Sequence, residues 1–271
     1  MRLKISLKPA NIHKSLFVFF VPVIIPAILL SSPNPTRYPV YLVHGILGFP
    51  EVLSLLEWRF EQKGYTTYSY YYPSIEKTIR EHGIDFGKWI LEQTGRDTIL
   101  LVTHSMGNLV AREMHNTYPQ IPVYRWIMIA PPNQGAQSAD LWSKIPLYRK
   151  VTDTPGQELR FSYDNASYKQ LPLPKCEFAI IAGGMKNDVG FSLLLDGDDD
   201  GKVRVEETYL EGYVDHIILP QVHTELVFAK NTFEQADHFF HTGRFDTSLV
   251  NKEFPLNLGK ILDLLNRGDS R

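Results

Sequence analysis

Among the side chains of this 271-residue chain, Ser105 stands in the setting that best suits covalent chemistry. It lies at the centre of Thr103-His104-Ser105-Met106-Gly107, directly after the apolar run 99–102 and before the helical spacing of Leu109, Val110 and Met114. A serine at the apex of a strand-to-helix turn is lifted clear of the sheet, and only small residues fit around so tight a reversal. The N–H of the following residue points to the same place, at the positive end of a helix, where a developing oxyanion is favoured. The plainer role for such a serine is helix N-cap.

A hydroxyl is a poor nucleophile at neutral pH without a base. Of nine histidines, His13 lies in the N-terminal segment, and His44 and His104 occupy tight turns suited to backbone positioning. His82, His115, His238 and His241 fall in helical patterns, leaving His216 and His223. His223 is preferred, because it follows Leu219-Pro220 in a loop at a strand's carboxyl end, whereas His216 lies within that strand pattern. The imidazole in turn needs a carboxylate to orient it. Asp188, Asp196, Asp198, Asp199 and Asp200 all precede it. Asp200 is chosen, with Asp198 next, because Asp200-Gly201-Lys202-Val203 reads as a turn pinned by an apolar anchor.

The acidic run has a competing use. Asp196-Gly197-Asp198-Asp199-Asp200-Gly201, with Glu207 at the twelfth position, fits an EF-hand calcium loop. Such a loop needs a helix on each side. Gly183-Gly184 and Asn187-Asp188 break one upstream, and Val203, Val205 and Thr208 alternate like a strand downstream. Calcium binding is the lesser reading, and no metal or cofactor is expected.

These residues need a frame. Strands are predicted at 38–43, 65–72, 99–102, 123–130, 178–182 and 213–219. Helical spacing links Val52, Leu55, Leu56 and Phe60 up to Gly64, then Ile75, Ile79, Phe86 and Ile90, and again residues 232–241. Alternation of this kind predicts an α/β fold, a mostly parallel central sheet with helices on both faces. Ligands then bind beyond the carboxyl ends of the strands, where His44-Gly45 and Ser105 fall. Residues 37–271 read as one domain. Apolar residues make up 44% and charged residues 21%, which excludes disorder, and the single cysteine, Cys176, excludes an intrachain disulfide.

Charge is uneven. Residues 1–36 hold Arg2, Lys4, Lys8 and Lys14 and no acid, which leaves 24 basic against 30 acidic side chains after them. That body is net negative and has no basic stripe, so nucleic acid is not an expected partner. The apolar run 16–30 follows the basic residues as in a secretory signal or short anchor. As a helix it would span about 22 Å, short of a hydrocarbon core of roughly 30 Å, and Pro22 and Pro26 would kink it. No clear cleavage site precedes Ser31-Ser32-Pro33. Membrane association or export is expected. The alternative is a segment packed on a cytoplasmic domain.

Taken together, His44-Gly45-Ile46, Thr103-His104-Ser105-Met106-Gly107, Ala130-Pro131-Pro132-Asn133-Gln134-Gly135, Asp200-Gly201-Lys202-Val203 and His223-Thr224 resemble the α/β-hydrolase lipases and esterases. The resemblance is nearest to small bacterial-type triacylglycerol lipases and PGAP-like esterases, and spans about residues 38–230. It implies the α/β-hydrolase fold and a triad of Ser105, Asp200 and His223. It also implies an oxyanion hole from the backbone N–H groups of Ile46 and Met106. Two positions depart from the usual pattern: Thr103 stands where the first Gly of G-x-S-x-G belongs, and Asn108 where a further Gly often follows. The implied activity is hydrolysis of carboxylic esters, of lipids or acylglycerols in particular. Acyl transfer to another acceptor and a non-catalytic binding module are the alternatives. Residues 136–174 carry Leu141, Trp142, Ile145, Leu147 and Tyr148, an apolar side suited either to covering an acyl chain or to ordinary packing.

Overall fold

The computed structural model describes residues 34–250. The predictions made for residues 1–33 therefore lie outside the described residues, among which no helix is long and apolar enough to cross a membrane.

Six strands form one sheet: β1 (Val40–Val43), β2 (Thr67–Tyr70), β3 (Ile99–His104), β4 (Val123–Ile129), β5 (Glu177–Gly183) and β6 (Asp215–Leu219). Their order is β2-β1-β3-β4-β5-β6, and every neighbouring pair is parallel. The central strands are buried on both faces, which is why β1 and β3 read as unbroken apolar runs rather than alternating ones. Successive side chains nevertheless serve different layers. Tyr41, Val43 and Leu101 join a core with α2 (Ile79–Thr94) and α3 (Met106–Thr117). Val40, Leu42 and Val102 join another with α1 (Ser54–Gln62) and α6 (Lys230–Thr242).

Local chemistry sets the helix bounds. The spacing that begins at Ile75 becomes helix only at Ile79, because Thr78 caps α2 in a capping box. Its hydroxyl accepts from the Glu81 N–H at 3.1 Å, and Glu81 Oε2 accepts from the Thr78 N–H at 3.0 Å. The alternating Val203, Val205 and Thr208, predicted to be strand-like, instead enter a single 3-10 turn, Val205–Thr208. Thr208 closes that turn by donating to the Val205 carbonyl at 2.6 Å.

From β1 the chain moves to one side of the sheet to form β2, then returns past β1 to form β3. The loops leaving β1 and β3 therefore part from each other at their carboxyl ends. This is the switch point at which open α/β sheets take ligands.

Candidate active site

Ser105 joins β3 to α3 with φ 53° and ψ −129°, a left-handed geometry that costs a residue with a side chain about 1–3 kcal/mol. Surrounding bonds hold it there. The Ser105 N–H donates to the Ile129 carbonyl at 2.9 Å, and the Ser105 carbonyl accepts from Asn108 N and from Asn108 Nδ2, both at 3.0 Å. Asn108 Oδ1 accepts from Thr103 Oγ1, which itself receives the indole N–H of Trp126 at 2.7 Å. The two residues that stand in place of expected glycines thus form a polar bracket around the turn. Gly107 meets the small-residue requirement: a Cβ there would come within 2.6 Å of both the Val43 and His44 carbonyl oxygens.

The loop after β1 passes directly over the serine. A Cβ on Gly45 would lie 2.7 Å from Ser105 Cβ and 3.2 Å from its Oγ. Tyr72 supports this loop by donating its hydroxyl to the His44 carbonyl at 2.6 Å, and its ring stacks on the His44 imidazole with centroids 4.4 Å apart. Burial pulls the His44 imidazole below its ordinary pKa. Ile46 lines the cavity above Ser105. As the first residue of α3, Met106 has an N–H without an intrahelical acceptor.

His223 arrives on the loop after β6, and two bonds tie it to Asp200. His223 Nδ1 lies 2.7 Å from Asp200 Oδ2, and the His223 N–H donates to the Asp200 carbonyl at 2.8 Å. The other carboxylate oxygen, Oδ1, accepts from the Lys202 and Val203 N–H groups at 2.9 and 2.7 Å. Asp200 and His223 are only 1% and 4% exposed. His104 Nε2 sits 3.1 Å from the His223 carbonyl, and desolvation holds the His104 imidazole well below its usual pKa. A neutral His104 with its proton on Nε2 donates there and fixes the loop.

Asp198 faces elsewhere, accepting from the Met185 and Lys186 N–H groups at 2.7 and 2.8 Å. Asp199 accepts from Gly201 and Ser192, while Glu207 accepts from Arg204 and from the Gln137 N–H. Asp198, Asp199 and Asp200 thus turn carboxylate oxygens onto backbone donors, and a 3-10 turn stands where an EF-hand would place its second helix. His216 belongs to another cluster. It is stacked on Tyr209 and 3.1 Å from Thr208 Oγ1, and burial lowers its pKa to about 4.

Ser105 and His223 line one cavity of about 320 Å³. Its walls are largely apolar, with Ile46, Leu47, Phe49, Trp142, Tyr148 and Leu159 among them. Trp142 and Tyr148 come from a roof of two helices, α4 (Gln137–Trp142) and α5 (Pro146–Glu158), and their rings meet edge to face at 5.7 Å. The apolar residues of this segment divide: Ile145 and Leu147 are turned to solvent, Leu147 69% exposed. The roof is fastened to the acidic loop. Gln137 N donates to Glu207 Oε1 at 2.7 Å, the Gln137 side chain donates to Asp196 Oδ2 and accepts from the Asp196 N–H, and Ser138 Oγ donates to the Lys202 carbonyl.

Tyr72 and Phe49 carry little signal in the sequence. Tyr72 ends a Tyr-rich strand pattern and could be placed beside His44 only once β1 and β2 were paired. Phe49 follows Gly48 in the loop already singled out at His44-Gly45-Ile46.

No protein-family model matches the sequence. Solved structures do match. Lipase BlEst2 of Bacillus licheniformis, in its mature form, superposes with a TM-score of 0.54 at 19% identity over 72% of this chain and 89% of that one. Its propeptide form gives 0.57 at 19%, over 83% and 53%. A metagenomic carboxyl esterase, MGS0156, gives 0.57 at 16%, over 71% and 66%. The phospholipase PlaB of Legionella pneumophila, in complex with thio-NAD, gives 0.56 at 14%, over 85% and 62%. At such identities the likeness is one of fold, and it agrees with a single parallel sheet flanked by helices. The chain has the α/β-hydrolase fold.

Proposed function

We propose that the protein is a serine hydrolase of carboxylic esters, with Ser105 as nucleophile, His223 as general base and acid, and Asp200 as the carboxylate that orients His223. The observation that carries this reading is the shared cavity: a strained serine and an imidazole bonded to a buried carboxylate open onto the same apolar space. Ser105 Oγ attacks the ester carbonyl carbon as its proton passes to His223 Nε2. The Asp200 carboxylate stabilises the imidazolium through Nδ1. The N–H groups of Ile46 and Met106 receive the oxyanion, each donor contributing on the order of 10²–10³ in rate. Collapse of the tetrahedral intermediate expels the alcohol, protonated by His223, and water then cleaves the acyl-enzyme by the same steps.

The apolar walls suit the acyl chain of a lipid or acylglycerol. The basic and apolar leader fits the same substrate class, since it would hold the enzyme at a membrane or deliver it across one.

The direct test is labelling with a fluorophosphonate probe. The native chain is expected to label stoichiometrically and the Ser105→Ala variant not at all. Equal labelling of the two, with both shown to be folded by circular dichroism, would remove the assignment.

A further inference from the structure

At the opposite end of the sheet, the second half of α3 borders another cavity, of about 310 Å³. It opens beside the amino ends of β4 and β5, whose flanking residues Val123 and Cys176 line it. Arg112 lines it too and is only 5% exposed. Its Nε and Nη1 have no hydrogen-bond partner among the described residues. A buried guanidinium without a partner is costly, and such charges are ordinarily paired. Its sequence neighbour Glu113 attracts it electrostatically, but among the described residues the two form no ion pair within 4.0 Å, and the Glu113 carboxylate accepts from Ser167 Oγ.

One turn along the same helix face stands His115. Its Nε2 accepts from the Lys175 N–H at 3.1 Å, so the ring proton of the neutral imidazole sits on Nδ1. That Nδ1 is buried and also lacks a partner among the described residues. Lys175 lines the cavity from its exposed side and adds positive charge. All of these groups are donors, and two of them are cationic.

Apart from Asn116, the remaining wall is largely hydrocarbon, including Ile121, Pro122 and Leu173. An inorganic oxyanion would leave its outward oxygens facing that wall unsolvated. A carboxylate on an aliphatic tail presents oxygens to Arg112 and carbon to the prolines and Leu173. We propose that this cavity is a binding site for a short aliphatic carboxylate, gripped by Arg112 and His115 and separate from the cavity that holds Ser105. The volume lies at the small end of the roughly 300–1,000 Å³ typical of ligand pockets.

The test titrates the full-length chain with butyrate and, separately, with inorganic phosphate, by isothermal calorimetry. Saturable butyrate binding is expected, with phosphate at least about tenfold weaker. Arg112→Met is expected to weaken butyrate by at least about tenfold, in line with loss of a charge-assisted hydrogen bond. Butyrate affinity unchanged by Arg112→Met would overturn the site. Phosphate binding as tight as butyrate would overturn the carboxylate assignment. Should Arg112→Met fail to fold, two measurements take its place. Lys175→Ala is expected to weaken butyrate several-fold, and butyrate is expected to shift the His115 ring ¹⁵N resonances of the native chain. Absence of both effects would refute the proposal.

Discussion

Replacing Asp200 by Asn keeps the side chain's shape and leaves its Oδ1 free to accept from Lys202 and Val203. The amide nitrogen, however, would then face His223 Nδ1 and donate to it, moving the imidazole proton to Nε2, where a base must be unprotonated. We expect kcat/KM for a chromogenic ester to fall by roughly 10³–10⁴-fold, with little change in the unfolding midpoint. Asp198→Asn removes charge from two backbone contacts at Met185 and Lys186 and should cost about 1 kcal/mol of stability while turnover stays within about tenfold. If Asp198→Asn were the more damaging to turnover, Asp200 would lose its role. The choice between these neighbours was readable in the sequence only through the turn that follows Asp200. That each aspartate binds a different pair of N–H groups emerges from the folded loop. The same holds at the elbow. Thr103 and Asn108 look like departures in the sequence, and their mutual bond becomes visible only once β3 and α3 meet.

Helix α3 begins so close to β1 that its second residue has no room for a side chain. A methyl group on Gly107 would meet the Val43 and His44 carbonyl oxygens, and backbone yields less readily than the end of a flexible side chain. Gly107→Ala should therefore cost about 1–3 kcal/mol by urea denaturation and also impair turnover, because the displaced helix carries both Met106 and the elbow. Elements of this sheet-and-helix layer were legible because their patterns are simple. Buried strands are apolar runs, and α1, α3 and α6 follow helical spacing. The roof was harder to read. Its apolar residues serve two sides, Trp142 and Tyr148 facing the cavity and Ile145 and Leu147 facing out. Pro155 and the left-handed Asp153 interrupt α5, so no single helical face runs through it.

Across the whole molecule, buried histidines tie stability to pH. His82 is 1% exposed, and burial lowers its pKa to about 4 from 6.5. Its neutral form is favoured in the folded state, so the unfolded chain binds the extra proton between these values. The contribution is complete above pH 6.5 and is lost as pH falls toward 4. At pH 5 the loss from this residue amounts to about 2 kcal/mol. Glu158 and Glu207 act in the opposite sense, since desolvation raises their pKa values and the folded state holds their protons more tightly. The comparison between variants isolates the histidine: between pH 7 and pH 5 the native chain should lose more stability than His82→Phe, measured as the difference in urea midpoints. Identical differences in the two proteins would show that His82 is not buried neutral.

The stitching of α4 to the acidic loop couples admission to alignment. Gln137 and Ser138 hold Asp196, Lys202 and Glu207, and Asp200 lies among those three in the chain. A guest too bulky for the space beneath the roof would lift these helices and drag the Asp200 turn with them, pulling the carboxylate out of register with its imidazole. Oversized guests would then be tolerated as occupants yet processed slowly, so discrimination by size would register in the speed of conversion more than in the strength of capture.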